Sequence, residues 1–452
     1  MSPEGAHGGP GRPWWVGLGR GGSGPPWGGP RGARRRAGPG VHLRSRYVCD
    51  VLCVRGAATA TGAALWAKNS DRPPDELQLL EWLPPRRDGG PVRATHISVA
   101  PSPAETLGVV GSRPWWGWGL EHGVNTAGVA AGNLGVYTTL DPRSHAPALT
   151  GMDLVRLALE RAPTATGAVE VIIDALERYG QGGSCHHGHD HPYWSSFVVA
   201  DPAGAWVVDT SGQEWAVLAV DRSWASSNRT AIPDFDAVHR HPRQPVDRLV
   251  EPRLGASRAV LAKEPVTEAA LAAHLRSHAG TDGYSVCMHV PGTEATTASM
   301  IAVLPPVGPP RVSCLIGSPC ASVYVPLGVG PLGRMPSAGS TPGLGLTRGL
   351  GGASGLGGAP GAGPVRGGLG GAPGAGPGPR EDSRAEREGA AAASWLGSGS
   401  VSPADREALD AVEADLLGEV VAEPALLEDP AWPDEAWERA QVASGLATRP
   451  RR

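Results

Sequence analysis

A layered α+β domain is the fold class this sequence predicts. Short apolar runs of strand length recur in two groups, and helix-period segments lie between and after them. A third observation bounds the domain. Of 452 residues, 66 are glycine and 45 proline, about a quarter of the chain, a level near that of low-complexity segments. Residues 1–46 and 329–400 hold a disproportionate share, and the stretch between them, roughly 280 residues, is large enough for a substantial core. The chain therefore divides into four parts. A leader rich in Arg, Gly and Pro occupies 1–46 and is expected to be disordered, a globular domain 47–328, a Gly/Pro/Ala linker 329–400, and a short helical tail 401–452.

Taken in order, the first elements follow Tyr47. Cys49–Arg55 and Leu65–Lys68 are apolar runs separated by small residues, which predicts a hairpin with a long loop. Further strands are expected at 107–112, 128–133, 196–201, 205–210, 214–220, 296–304 and 312–317. The pair around Asp201-Pro202-Ala203-Gly204 is the clearest hairpin, since Pro and Gly supply the turn dihedrals. Thr150 caps a helix with Asp153 three residues on and Leu154, Leu157 and Ala158 on one face. A second helix spans 166–179, with Val169, Ile172, Ile173 and Leu176 apolar and Gly180 as its stop. A third follows Thr267 and ends by Gly280. The string GLGGAPGAGP occurs at 355–364 and again at 368–377. A repeat so rich in glycine cannot bury a core, so it reads as a duplicated flexible linker. Ser402, Pro403 and Asp405 then open an acidic amphipathic helix through Leu417, suited to docking on the domain or engaging a partner.

Charge and cysteine usage narrow the function classes. The formal charge of −4 implies no nucleic-acid-binding or membrane-binding field for the whole chain. The leader has Glu4 as its only acid against many arginines, including Arg34, Arg35 and Arg36. It reads either as a solvated basic segment or as an import signal, although its Gly and Pro content opposes the amphipathic helix of a transit peptide. No apolar run is long enough to span a membrane, so no stable membrane insertion is expected. The six cysteines, Cys49, Cys53, Cys185, Cys287, Cys314 and Cys320, form no CxxC pair. That pattern fits reduced thiols in the cytoplasm.

The chemistry-bearing residues cluster near the first hairpin. Cys49 is followed by Asp50 and by alternating apolar residues, and AKNSDR at 67–72 falls at the end of the partner strand. Pairing of these two segments brings Lys68, Asn69, Asp71 and Arg72 beside Cys49. A cation near a thiol lowers its pKa and raises the thiolate fraction. The plain alternatives are a small apolar thiol at Cys49 and a solvated turn at 68–72. The chain has only two lysines, Lys68 and Lys263, so a lysine inside this segment stands out against the arginine bias. Cys53 lies four residues further along an apolar strand without a following acid, and reads as a buried thiol. Trp115, Trp116 and Trp118 either wall a pocket or pack as core. His186, His187, His189 and His191, with Cys185 and Asp190, form a histidine-rich loop that lacks a defined ligand spacing. No metal and no cofactor is expected there or elsewhere.

At this point a resemblance enters. CD at 49–50, KNSDRPPDE at 68–76, SRPWWGWGLEHGVNTAGVAAGN at 112–133, GMDLVRLALER at 151–161 and YGQGG at 179–183 are similar to secernins. AWVVDTSGQEWA at 205–216, SSNRTAI at 226–232, TTASMIAVLP at 296–305 and GSPCASVYVP at 317–326 continue the likeness in order. Secernins resemble the dipeptidase branch of the cysteine N-terminal-nucleophile (Ntn) hydrolases. The resemblance implies a four-layer αββα sandwich and hydrolysis of an amide bond in a dipeptide or small peptide. It implies Cys49 as nucleophile, its own α-amine as base, and hence cleavage between Val48 and Cys49. Asp71 matches the acid that orients that amine, and Asn133 and Asn228 match asparagines that hold the oxyanion. Lys68 stands where amidase relatives carry an arginine, and Arg258 matches a further substrate-side arginine. The resemblance also implies an alternative, a catalytically silent regulator that meets the exocytic machinery.

Overall fold

The computed structural model describes residues 49–242, 246–331, 403–429 and 431–447. The expected leader at 1–46 and all but the first three residues of the expected linker at 329–400 lie outside the described residues. In chain order the first strands are β1 (Cys49–Val54), β2 (Ala64–Arg72) and β3 (Gln78–Leu83), then the ribbon β4 (Val92–Arg93) with β5 (Ser98–Val99). They are followed by β6 (Val109–Pro114), β7 (His122–Asn125) and β8 (Ala130–Val136), then helices α1 (Gly151–Arg161) and α2 (Ala165–Tyr179). Strands β9 (Trp194–Ala200), β10 (Ala205–Ser211), β11 (Glu214–Ala219) and β12 (Ser223–Ser226) precede helices α3 (Pro233–His239), α4 (Val246–Leu261) and α5 (Glu268–Leu275). The ribbon β13 (Gly280–Thr281) with β14 (Tyr284–Ser285) leads to β15 (His289–Val290), β16 (Glu294–Leu304), β17 (Arg311–Ile316) and β18 (Val325–Gly328). Two tail helices close the chain, α6 (Pro403–Ala422) and α7 (Trp432–Ala447).

Two antiparallel sheets stack face to face. The first runs β12-β1-β2-β16-β17-β18, with β15 added beside β16, and the second runs β11-β10-β9-β8-β7-β6-β3. Strand alternation assigns the layers. Val51, Cys53, Ala64, Trp66, Met300 and Ala302 of the first sheet meet Val124, Ala130, Leu134, Trp194 and Val198 of the second in one inter-sheet core. Their neighbours Leu52, Val54, Leu65, Ala67 and Ile301 point the other way, onto Val250, Leu254, Leu271 and Leu275 of α4 and α5. On the far side, Val109, Ala131, Phe197 and Val199 pack under Leu154, Leu157, Ala158 and Ile172 of α1 and α2. The order is helix, sheet, sheet, helix, the αββα sandwich that the sequence led us to expect.

Local chemistry explains the elements. Thr150 and Asp153 form a reciprocal capping box at α1, which satisfies two of the amide donors a helix start leaves unpaired. Thr164 and Thr267 cap α2 and α5 through their hydroxyls. Gly180 ends α2 at φ 73°, a conformation that a β-carbon disfavours. The tail helices dock instead of standing free. Leu409, Leu416, Val420, Trp432 and Ala436 join the inter-sheet core beside Val325 and Leu327, and Trp432 Nε1 donates to Pro326 O at 3.0 Å. They cover β18, an edge strand that would otherwise offer its unpaired backbone to another chain.

Candidate active site

β1 and β2 place the candidate nucleophile. In their antiparallel register Cys49 faces Ser70 and Asp50 faces Asn69. Lys68, Asn69, Ser70, Asp71 and Arg72 are not a solvated turn. They continue β2, and all five are buried to within 1% of full coverage. Five consecutive polar residues inside a strand are costly to desolvate unless each finds partners. Those partners define the site.

The main-chain nitrogen of Cys49 is held by a side chain. β12 pairs with β1 so that Ser226 faces Val51, and continuing that register sets Ser227 opposite Asp50 and Asn228 opposite Cys49. The Cys49 N–H donates to Asn228 Oδ1 at 2.8 Å, and Arg253 Nη2 donates to the same oxygen at 3.1 Å. Two donors on one oxygen fix which end of the amide is which. Asn228 Nδ2 donates to Gly135 O at 3.0 Å, tying the first sheet to β8 of the second, and among the described residues its other amide hydrogen has no acceptor. Asp50 anchors the arrangement from behind, accepting from Arg253 Nη1 at 2.6 Å and from Ser227 Oγ at 2.9 Å.

The thiol sits among charges. Burial pushes Cys49 up to about 12, against the pull of Lys68 toward thiolate; Glu121 and Asp71 add to the rise, and the Asp71 backbone N–H opposes it. In the uncut chain the group is therefore a neutral thiol at pH 7. Lys68 donates to Ser70 Oγ, lies 3.9 Å from Glu121, and shares that carboxylate with Arg72 at 3.3 Å. Ser70 Oγ in turn meets His122 Nδ1 at 3.0 Å. Burial and then the Lys68 charge hold His122 well below its usual pKa, so this ring is neutral.

Asp71 points to the helix side of β2. Thr296 donates to its Oδ1 at 2.5 Å, while Oδ2 is buried with no hydrogen-bond partner among the described residues. Burial, reinforced by Asp50, raises its pKa well above the carboxylate range, although Thr296, Arg253 and Lys68 work against the rise.

Two expected members stand differently. Asn133 lies on β8 with its Nδ2 against Gly151 in the first turn of α1, where a β-carbon on Gly151 would come within 2.7 Å. Among the described residues no hydrogen bond joins it to Cys49. Arg258 is not brought to the cluster at all. It is exposed on α4 and borders a separate surface cleft between Ala219–Ala225 and Leu261. The buried stripe of that helix is Val250, Arg253, Leu254, Ser257 and Leu261. A position five residues past Arg253 lies about 140° round the axis. Arg253, directly after Pro252 and with its Nε donating to Leu249 O at 3.0 Å, is the arginine that reaches Cys49.

Sequence reasoning also missed Glu121, His122 and Ser227. The run GLEHG carried a signal, because two ionisable residues between glycines in an otherwise apolar segment demand partners. Cys53 is buried and pushed by burial up to about 12 with no lysine beside it, as a core thiol would be. Trp116 donates to Glu76 at 2.9 Å, Arg156 stacks on Trp118 at 4.2 Å, and Trp115 meets His187 at 4.7 Å. In the histidine-rich loop, the rings of His186 and His189 meet at 4.9 Å with a tilt of 50°, and the loop supplies no set of three converging ligand atoms among the described residues.

No family model matches this chain. Among solved structures it is similar to penicillin V acylase from Agrobacterium tumefaciens, at 14% identity over 62% of this chain and 86% of that one, with TM-score 0.39. It is also similar to an N-acylethanolamine-hydrolyzing acid amidase ortholog from Caenorhabditis elegans, at 11% identity over 56% of this chain and 92% of that one, with TM-score 0.35. A third is a mutant form of conjugated bile acid hydrolase from Clostridium perfringens, at 12% identity over 59% of this chain and 92% of that one, with TM-score 0.38.

Proposed function

We propose that this chain is an N-terminal-nucleophile amide hydrolase acting on a dipeptide or small peptide, with Cys49 as nucleophile once the Val48–Cys49 bond is cut. The observation that supports it best is the clamp on the Cys49 main-chain nitrogen by Asn228 Oδ1 at 2.8 Å. Any buried main-chain N–H needs an acceptor, but a strand usually provides a ladder carbonyl, not a side-chain oxygen held by a second donor. A residue whose nitrogen must become a positioned amine has every use for one.

Cutting the bond changes the protonation balance. The new α-amine has an intrinsic pKa of about 8 against about 8.5 for a free thiol, and its charge, on the same residue as the sulfur, opposes the burial that pushes the Cys49 thiol up to about 12. A proton passes from thiol to amine, and the ammonium beside the sulfur stabilises the thiolate. The thiolate attacks the substrate carbonyl, and the second hydrogen of Asn228 Nδ2 stabilises the oxyanion. The ammonium then gives its proton to the leaving amine, which departs as the thioester forms. Water attacks the thioester, losing a proton to the amine, and the acid product leaves with the thiol restored.

The high pKa of the buried Cys49 thiol supports a second reading for an uncut chain: a catalytically silent protein that keeps the fold for regulation, with the exocytic machinery as its partner. One experiment separates the two. Intact mass and a dipeptide screen are measured on the full chain and on protein produced to begin at Cys49. Turnover by the second form, abolished in Cys49→Ala, supports the hydrolase. Turnover that survives Cys49→Ala, or none in any cut form, overturns it.

A further inference from the structure

Outside the Cys49 cluster, three separate segments bring four soft ligands to one point. His278 lies in the connection after α5, Cys287 and His289 flank Met288 where β15 begins, and Cys320 lies in the 3₁₀ turn Pro319–Ala321. Their ligating atoms all lie within 4.8 Å of one another. His289 Nε2 is 3.4 Å from Cys287 Sγ and 3.2 Å from Cys320 Sγ. The His278 ring meets the His289 ring edge-on at 5.1 Å.

We propose that His278, Cys287, His289 and Cys320 form a structural zinc site. Zinc bonds of about 2.3 Å to sulfur and about 2.0–2.1 Å to nitrogen put neighbouring ligand atoms of a tetrahedron roughly 3.3–3.8 Å apart. The two sulfur–nitrogen separations, 3.4 and 3.2 Å, fall at and just below the lower end of that spacing. Two thiolates and two imidazoles, with no carboxylate among them, suit zinc and disfavour magnesium or calcium. Four protein ligands leave no open position for a reacting water, which makes the site structural. A disulfide between Cys287 and Cys320 would account for the two sulfurs but not for the two imidazoles converging on them. A cavity of about 680 Å³ lined by His278, Cys320, Arg276, Tyr324 and Arg406 gives the ion a path in.

The clasp supports two other parts of the molecule. Met288, between two of the ligands, donates its N–H to Thr296 Oγ1 at 2.8 Å, and Thr296 donates to Asp71. On the other side, Arg406 of α6 donates to the carbonyls of Pro319, Cys320 and Ser322 at 3.0–3.4 Å. The ion therefore fixes the turn on which the tail helix docks and the strand that supplies the partner of Asp71.

The test uses the full chain, reduced, stripped with a chelator and reloaded with zinc, with metal content measured by mass spectrometry. One zinc per chain is expected, with a lower Tm when it is removed. Cobalt in its place is expected to give a tetrahedral spectrum with thiolate-to-metal charge transfer, measured on the unaltered protein so that no variant need fold. Cys287→Ser with Cys320→Ser loses the metal, while His186→Gln with His189→Gln and Cys49→Ala keep it. The last variant separates this site from the hydrolase proposal. Failure to take up stoichiometric zinc, a cobalt spectrum without thiolate bands, or a native Cys287–Cys320 disulfide overturns the proposal.

Discussion

Replacing Arg253 with methionine tests whether the Cys49 nitrogen clamp rests on the charge behind it. Arg253 and Asp50 are both buried and bonded at 2.6 Å, and Arg253 also holds Asn228 Oδ1. Removing one partner of a buried ion pair leaves an uncompensated charge, at a cost of about 3–5 kcal/mol. Ser227 Oγ remains on Asp50 at 2.9 Å, which argues for the lower half of that range. With a urea slope of roughly 3 kcal/mol/M, the unfolding midpoint falls by about 1–1.3 M. Arg258→Met on the exposed face of the same helix is the control, with an expected change within about 0.5 kcal/mol. Asp50→Asn combined with Arg253→Met recovers most of the loss, since no unpaired charge is left. Equal midpoints for Arg253→Met and Arg258→Met, or a double variant no better than the single, would refute the reasoning.

Three further outcomes follow from the same geometry. In the uncut chain Cys49 is held at about 12 by burial, so its thiolate fraction at pH 8 is roughly 10⁻⁴, against about 0.2 for a free thiol. Site-resolved alkylation is therefore expected to run at least about a thousandfold slower at Cys49 than in the unfolded chain, and rates within tenfold would contradict the buried, neutral thiol. His122 has a folded pKa well below its ordinary value, so its penalty is absent above about pH 6.5 and grows as pH falls below that value, because the unfolded ring takes up the proton first. His122→Gln should flatten the fall in urea midpoint between pH 7.5 and 5.5; an unchanged slope would rule this out. Trp432→Ala removes a buried ring and its bond to Pro326 O, costing about 3–5 kcal/mol and exposing α6 and α7 to proteolysis, whereas an unaltered cleavage pattern would mean that the tail is not held by that contact.

How much of this was legible before the structure depends on what each residue must satisfy. Strands buried on both faces announce themselves as apolar runs, so β1, β8, β9, β10 and β16 were all readable. β7 and β12 were not, because four residues with serines, histidine or asparagine carry no period. Helix α4 was hidden for a different reason. Pro252 and Gly255 argue against a helix interior, and its buried stripe contains an arginine that only makes sense once Asp50 is known to lie beneath it. The same logic misled the choice of Arg258, which was matched by neighbouring small residues and not by the face it occupies. The zinc ligands were illegible as a set. Their spacing places a single residue between two of them and thirty between the next pair, and no local pattern predicts that β15 and a 3₁₀ turn meet.

The polar end of β2 links these observations. Lys68, Ser70 and Arg72 face the inter-sheet side with Glu121 and His122, while Asn69 and Asp71 face the helix side, where Asn69 donates to Leu275 O and Val286 O. One strand thus serves two polar layers, and Cys49 sits where β1 begins beside both. The thiol is kept neutral from one side by burial that Lys68 only partly offsets. Its nitrogen is held from the other by Asn228, Arg253 and Asp50. Such an arrangement costs stability that a purely structural strand end would not spend. Under the proposed hydrolase reading, a chain that begins at Cys49 adds one positive charge on the nitrogen already clamped, and that charge pulls the thiol toward thiolate.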